Sequence, residues 1–210
     1  DSELTLGVAG DQLYNCACIV LSFFGLAIRC ITVAHLPKGT SGRSTTKQIA
    51  ESLNTTGMYS IHRHPLYFGN FIIYFGLILS VQVWWFTALM GLVVFFYLER
   101  IMLAEERFLL EKFGAPYVEW ARVTPAYWPR FRIWSQDRLP FSMRNVLKRE
   151  YSGFFAIIVT YTVFEILKEI VVHGTPRLGL GWFIFLNIGL IIYVILRTLR
   201  KRGVLDVDGR

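Results

Sequence analysis

Five residues carry chemistry that an apolar chain has little other reason to hold. His62, Arg63 and His64 stand directly before Pro65, and the carboxylates Glu105 and Glu106 follow downstream. Pro65 suits the first turn of a helix, because its missing N–H is one of the donors left unpaired there anyway, and it pushes His64 into an extended conformation. The cations therefore stand at a helix N-terminus, where free N–H groups and the helix dipole favour an anion. A ligand joining this end to the two carboxylates needs both an anionic group and cationic or hydroxyl donors. S-adenosylmethionine has both, with its carboxylate for the His-Arg end and its ammonium or ribose hydroxyls for a Glu. Each piece alone has a plainer reading. Arg63 and His64 could be interfacial charges beside lipid headgroups, the Glu pair a solvated helix end, and Tyr59 and Tyr67 aromatic-belt residues. Only their combination selects a cofactor site.

The elements that must position these residues belong to a membrane protein. Of 210 residues 54% are hydrophobic and 16% aromatic, with mean hydropathy +0.44, more apolar surface than one soluble core of this size requires. The net charge of +7 raises the question of nucleic acid. Lys and Arg, however, are distributed by topology: four lie in 36–65, ten in 100–150 and five in 197–210, nineteen of the twenty-two. That pattern disfavours a nucleic-acid partner and places both motif-bearing loops in the cytoplasm by the positive-inside rule. Cys16, Cys18 and Cys30 all fall in the first apolar run without His neighbours at ligand spacing, so neither a disulfide framework nor a metal site is expected. The start, Asp1 to Gly10, has neither Met nor a basic signal-peptide region, so an upstream segment is expected to be missing.

Apolar runs at 13–34, 66–83, 83–98, 151–172 and 180–196 predict an all-α integral membrane protein of about five transmembrane helices in one domain. Arg29 interrupts the first run and is expected to snorkel toward the nearer interface. Residues 35–54 read as a polar surface loop. Gly69 and Gly76 share one face of the second run, where small residues admit a helix or a ligand to the backbone. A tight turn at Gln82 makes the second and third runs a hairpin, and the third stops at Phe113-Gly114. Prolines and aromatics then crowd 115–140, which predicts an ordered lid on the membrane surface. Glu165, Lys168 and Glu169 give the fourth run a polar face that should pack against protein.

The ordered series Gly57-x-Tyr59, Arg63-His64-Pro65-x-Tyr67-x-Gly69, Glu105-Glu106-x-x-Leu109 and Phe113-Gly114-x-x-Tyr117, with Pro125 and Pro129 behind it, resembles the isoprenylcysteine carboxyl methyltransferase and phospholipid methyltransferase superfamily. The resemblance covers 57–129 and leaves 141–210 as a C-terminal helical extension. It implies an S-adenosylmethionine-dependent integral-membrane methyltransferase with a cytoplasmic cofactor pocket. Tyr59, Arg63, His64, Pro65, Tyr67, Gly69, Glu105 and Glu106 would be its cofactor residues. A narrower likeness, through 39–43, 53–60, 66–70 and 99–108, is to bacterial lipid A 1-phosphate methyltransferases, which implies the bacterial inner membrane. His62 departs from the branched apolar residue expected before Arg63.

Methyl transfer from a sulfonium to an acceptor that is already anionic needs no general base, so alignment and exclusion of water are the main tasks. An Arg whose planar fork holds the acceptor oxyanion suits that work. Arg100 and Arg63 are the candidates nearest the chemistry; Arg43, Asn70, Arg122 and Arg130 are candidate substrate contacts, and Arg132 is a further cation of the same stretch. For each Arg the plainer reading is a positive-inside anchor. On this reading the expected acceptor is a membrane lipid, with the lipid A 1-phosphate ahead of a prenylated-cysteine carboxylate or a phospholipid amine. Two other classes compete. A sterol-type reductase using NADPH would carry an Asn-Tyr pair after the His and an Arg-Asp-Glu run, where this chain has Pro65-Leu66-Tyr67 and Ala104-Glu105-Glu106. A non-catalytic membrane interaction protein would bind no cofactor at all.

Overall fold

A computed structural model describes residues 2–37 and 50–209. The 39–43 stretch, with Arg43, lies outside the described residues. Seven α-helices follow one another: α1 (Ser2–Ala34), α2 (Met58–Ile61), α3 (Pro65–Leu79), α4 (Trp84–Phe113), α5 (Ala115–Val123), α6 (Met143–His173) and α7 (Leu180–Lys201). The five long ones pack side by side in the order α4, α3, α1, α6, α7, with α1 in the centre. They coincide with the five apolar runs, yet among the described residues three helices, at Gly10–Ala34, Trp84–Phe113 and Leu180–Lys201, are long and apolar enough to cross a membrane. Starting at Pro65, α3 has 15 residues, which at about 1.5 Å each falls short of a hydrocarbon core about 30 Å thick. Charged residues at both ends of α6 dilute its apolar stretch.

The α1–α3 contact sets the bundle. A Cβ on Gly25 would stand 2.6 Å from the Gly69 carbonyl oxygen and 2.8 Å from the Ile73 nitrogen. One on Gly69 would meet the Gly25 carbonyl at 2.8 Å, and one on Gly76 the Cys18 carbonyl at 2.8 Å. The glycines admit a neighbouring helix, as small residues do wherever two backbones approach closely. Ser22 extends the seam, sharing a 2.9 Å hydrogen bond with the Tyr161 hydroxyl of α6 and donating to the Ile73 carbonyl at 3.0 Å.

Polar groups are matched at both ends of the row. Asn145 of α6 donates from Nδ2 to the Val33 carbonyl at 2.6 Å, satisfying one acceptor that the end of α1 leaves open. At the opposite end Gln82, at φ 60°, turns α3 into α4. Its Nε2 donates to Asp11 Oδ1 at 2.7 Å, and Lys168 Nζ bonds the other Asp11 oxygen at 2.7 Å. The polar face of α6 thus meets α1. Arg29 departs from expectation: it does not snorkel outward but forms an ion pair with Glu150 of α6 at 2.8 Å. A carboxylate held at guanidinium distance inside the bundle offers the charge a better partner than the interface would.

Because the atoms facing Gly25 are backbone and cannot swing aside, Gly25→Val is expected to force α1 and α3 apart and to destabilise the protein by about 1–3 kcal/mol. Thermal unfolding in detergent, compared with wild type, reads the loss; an unchanged midpoint would place the seam elsewhere.

Candidate functional site

The polar residues of 57–64 are held between α4 and the lid. His64 caps the start of α3 and is 4% exposed. Its Nε2 lies 3.0 Å from Glu106 Oε1, and its Nδ1 lies 3.6 Å from Glu105 Oε2. Burial alone would lower the His64 pKa, but the hydrogen bonds and charges of Glu105 and Glu106 outweigh it and the pKa is raised. With carboxylates at both nitrogens, His64 is held as an imidazolium.

Arg63 shares the same Glu106 oxygen, donating from Nη1 at 3.1 Å. Its Nε donates to the Thr124 carbonyl and its Nη2 to the Ala121 carbonyl, each at 2.7 Å. These bonds use three of the five N–H groups of a guanidinium. Tyr117, buried beside the Arg63–Glu106 pair, has its hydroxyl pKa pushed up to about 12, first by burial and then by the Glu106 charge.

His62 has the opposite environment. It is 2% exposed, and its Nδ1 accepts the His64 backbone N–H at 2.8 Å. An accepting Nδ1 places the proton on Nε2, which therefore donates to the Tyr127 carbonyl at 3.1 Å. Burial, with the His64 and Arg63 charges adding to it, pushes its pKa down to about 4. The two histidines serve different ends: one is a neutral peg and the other a cation.

The lid is ordered, as expected, but begins as a helix, α5, before turning irregular through a short 3₁₀ turn at Phe131–Ile133. Main-chain bonds tie it to the motif: Arg63 N–H to Pro125 at 2.9 Å, Arg130 N–H to Ile61 at 2.9 Å, and Gly57 N–H to Ser135 at 2.9 Å. Trp120 Nε1 donates to the Tyr59 carbonyl at 3.0 Å. Gly57 takes φ 58°, a conformation disfavoured for other residues, and the Asp137 carboxylate fills the space where a Cβ would project.

Two clefts open on this arrangement and share Arg63. One, of about 370 Å³, is lined by Arg63, His64, Glu99, Met102, Leu103, Glu106, Ala126 and Tyr127. The other, of about 440 Å³, lies among Arg63, 121–125, Trp128, Pro129 and Arg130. Of the expected cofactor residues, Arg63, His64 and Glu106 reach the first cleft, and Glu105 stands behind His64. Tyr67 packs against the His64 ring with centroids 5.9 Å apart. Tyr59 contributes its carbonyl to Trp120, and Pro65 is buried at the start of α3. Gly69 faces α1 in the helix seam. Arg122 and Arg130 line the second cleft, Asn70 contacts Arg29, and Arg100 is exposed and lines neither cleft. Helical phase accounts for Arg100: Glu99, Met102, Leu103 and Glu106 share a face, and Arg100 is turned about 100° from Glu99. The same periodicity, applied backward from Glu106, would have brought Glu99 into the site. Thr124 takes part through its backbone carbonyl and leaves no trace in residue type, whereas Tyr127 adds to its carbonyl a hydroxyl that donates to Glu99 Oε1 at 3.2 Å. Among the described residues no group of three His, Cys, Asp or Glu side chains is arranged to hold a metal ion.

Comparison with known proteins finds a family match over just under half of the chain. Residues 16–116 match the phospholipid methyltransferase family model, a span containing His62, Arg63, His64, Glu105 and Glu106 but ending before most of α5, the lid, α6 and α7. The chain is 35% identical over 83 residues to the cobalt-zinc-cadmium resistance protein CzcN of Cupriavidus metallidurans, an alignment covering 40% of this chain and 38% of that protein. It is 26% identical over 127 residues to the nickel-cobalt-cadmium resistance protein NccN of Alcaligenes xylosoxydans xylosoxydans, covering 60% and 57%. The chain thus spans well under two thirds of either relative. No solved structure matches it significantly.

The histidine pair makes stability depend on pH in a defined window. His62 has a folded pKa of about 4, against 6.5 for the ordinary residue. Its contribution is complete above pH 6.5 and is lost as pH falls toward 4, reaching about 3 kcal/mol at 1.36 kcal/mol per pKa unit. His64 runs the other way, its contribution being full below 6.5 and lost as pH rises through its raised folded value. In melts between pH 7 and 4, His62→Gln, which can still accept from His64 and donate to Tyr127, should flatten the acid-side decline.

Proposed function

We propose that this chain is a membrane methyltransferase that uses S-adenosylmethionine and acts on a lipid acceptor. The observation that carries the reading is the cleft where His64 and Arg63 share Glu106. The family match over 16–116 supports it independently.

The donor set fits the cofactor. Glu99 and Glu106 on one wall can accept from an ammonium or from ribose hydroxyls. The two N–H groups that Arg63 keeps open can bind a carboxylate, and Met102 and Leu103 supply apolar surface. When bound, the cofactor supplies an electrophilic methyl group on a sulfonium. The chain's own part is positional. Glu105 and Glu106 hold the His64 imidazolium, Arg63 ties the α3 start to the 121–125 backbone, and His62 fixes the carbonyl of Tyr127. With its carboxylates engaged and its lid tethered, the site can orient two substrates and exclude water without moving a proton.

The acceptor is best read as an anionic lipid head group, in first place the 1-phosphate of lipid A. The neighbouring cleft supports this, because Arg63, Arg122 and Arg130 line it together and a guanidinium can grip an oxyanion with two parallel bonds. The lid also presents Trp128, Phe131 and Trp134 to the surroundings, with 79%, 74% and 50% of their surface exposed. Such residues suit a membrane interface. With the site end of the bundle carrying most Lys and Arg, the clefts would face the cytoplasm from the inner membrane.

Calorimetry on the purified full chain should show S-adenosylhomocysteine binding and no response to NADPH. Glu105→Gln with Glu106→Gln should weaken that binding by about tenfold or more, since both the imidazolium and the cleft wall lose their charge. NADPH binding would favour a reductase, and unchanged binding in the double variant would move the cofactor elsewhere. Labelled S-adenosylmethionine offered with lipid A, phosphatidylethanolamine and a prenylated cysteine then identifies the acceptor. Label on the amine or carboxylate alone would overturn the phosphate reading.

A further inference from the structure

Arg29 lies within the apolar body of α1, and two neighbouring helices turn polar side chains onto it. Glu150 of α6 is 4% exposed; it accepts from Arg29 Nε at 2.9 Å and Nη2 at 2.8 Å, a bidentate fork. Nη1 donates to Asn70 Oδ1 at 2.7 Å and, more weakly, to the Leu66 carbonyl at 3.4 Å. The fork to Glu150 uses two of the five N–H groups of Arg29, and the bond to Asn70 satisfies a third. The added bond to Asn70 has a directional consequence.

A guanidinium only donates, so the amide of Asn70 must turn its oxygen toward Arg29 and its NH₂ group away. That Nδ2 makes no hydrogen bond among the described residues and is not fully buried. A pair of amide donors is thus held in fixed orientation on α3, at a half-buried position. It stands three residues beyond Tyr67, whose hydroxyl faces the Glu105 carboxylate, and so just toward the membrane from the cofactor cleft.

We infer that Asn70 Nδ2 donates a hydrogen bond to an oxygen of the acceptor lipid's head group, and that Arg29 and Glu150 are positioning residues that fix the direction of that donor. This rests on the lipid methyltransferase reading. It also gives α6 a task in the site: Glu150 lies outside the family match at 16–116, so the C-terminal extension supplies the carboxylate on which the orientation of Asn70 depends. The cofactor is not touched by this device, which separates its effects from those of the His64–Glu106 cleft.

The test uses the full chain in mixed micelles, with whichever of lipid A, phosphatidylethanolamine or prenylated cysteine the wild type labels. Asn70→Asp keeps an oxygen for Arg29 and replaces the outward donors with an acceptor. It should raise the acceptor KM about tenfold or more while S-adenosylhomocysteine affinity stays within about twofold. Glu150→Gln should raise the acceptor KM in the same direction, and Glu150→Asp should recover part of it. If Asn70→Asp does not fold, Asn70→Thr, which leaves Arg29 an oxygen and shortens the donor, is read in its place. An unchanged acceptor KM overturns the inference, as does an equal loss of cofactor affinity and melting temperature, which would mark the cluster as purely structural. A wild type that binds S-adenosylhomocysteine but labels none of the three lipids overturns it too, leaving the cofactor reading intact. A wild type that does not bind S-adenosylhomocysteine overturns the enzyme reading itself.

Discussion

One carboxylate oxygen, Oε1 of Glu106, receives two cations: His64 Nε2 at 3.0 Å and Arg63 Nη1 at 3.1 Å. Adjacent positive side chains at the mouth of an apolar helix repel one another and lose hydration, so they persist there only around an anion. Glu106 supplies it from α4, and Glu105 supports the second nitrogen of the imidazole. The spacing of α3 and α4 at the site end is therefore constrained by an ion triad as well as by apolar packing. Because Arg63 directs its remaining bonds at the Ala121 and Thr124 carbonyls, the course of the lid follows from the same triad.

Elsewhere in the bundle the same rule recurs at different depths. Asp11 gathers Gln82 and Lys168 at one end, and Arg29 joins Glu150 and Asn70 toward the other. Both clusters centre on α1, the helix in the middle of the row. Ionised groups in such surroundings are stable only when matched; matched across neighbouring elements, they also fix which faces meet. The glycine seam acts alongside them by letting α1 and α3 approach until backbone touches backbone.

Several features were legible in residue order because their cause is local. Pro65 suits the first turn of a helix and keeps His64 non-helical, Gln82 falls where two apolar runs must reverse, and Gly114 follows the last helical residue of α4. The crowding of prolines and aromatics in 115–140 marks an irregular segment, although nine residues of it form α5. The five apolar runs fall on the five long helices among the described residues, of which three suffice to span by length and composition. Pairings that depend on rotation about a helix axis were less accessible. Glu99 rather than Arg100 lines the cleft because a single residue step turns a side chain well away from it. The direction of Arg29 was equally hidden, since its partner lies on α6, far along the chain.

The sequence by itself determined which segments are apolar, that α3 starts at Pro65 and α4 stops before Gly114, and which polar residues, His62, Arg63, His64, Glu105 and Glu106, stand at those helix ends. These follow from hydropathy, proline and glycine chemistry, and the difficulty of leaving charge unmatched in apolar surroundings, all of which act over short stretches of chain. Only the tertiary structure decided that His62 is a neutral peg and His64 a cation, that Gly69 serves the α1 seam, and that Arg29 turns inward to Glu150 and Asn70. Those outcomes depend on which groups from distant helices arrive within hydrogen-bonding distance. A difference of an ångström or one helical step changes the partner, and neither can be read from residue order.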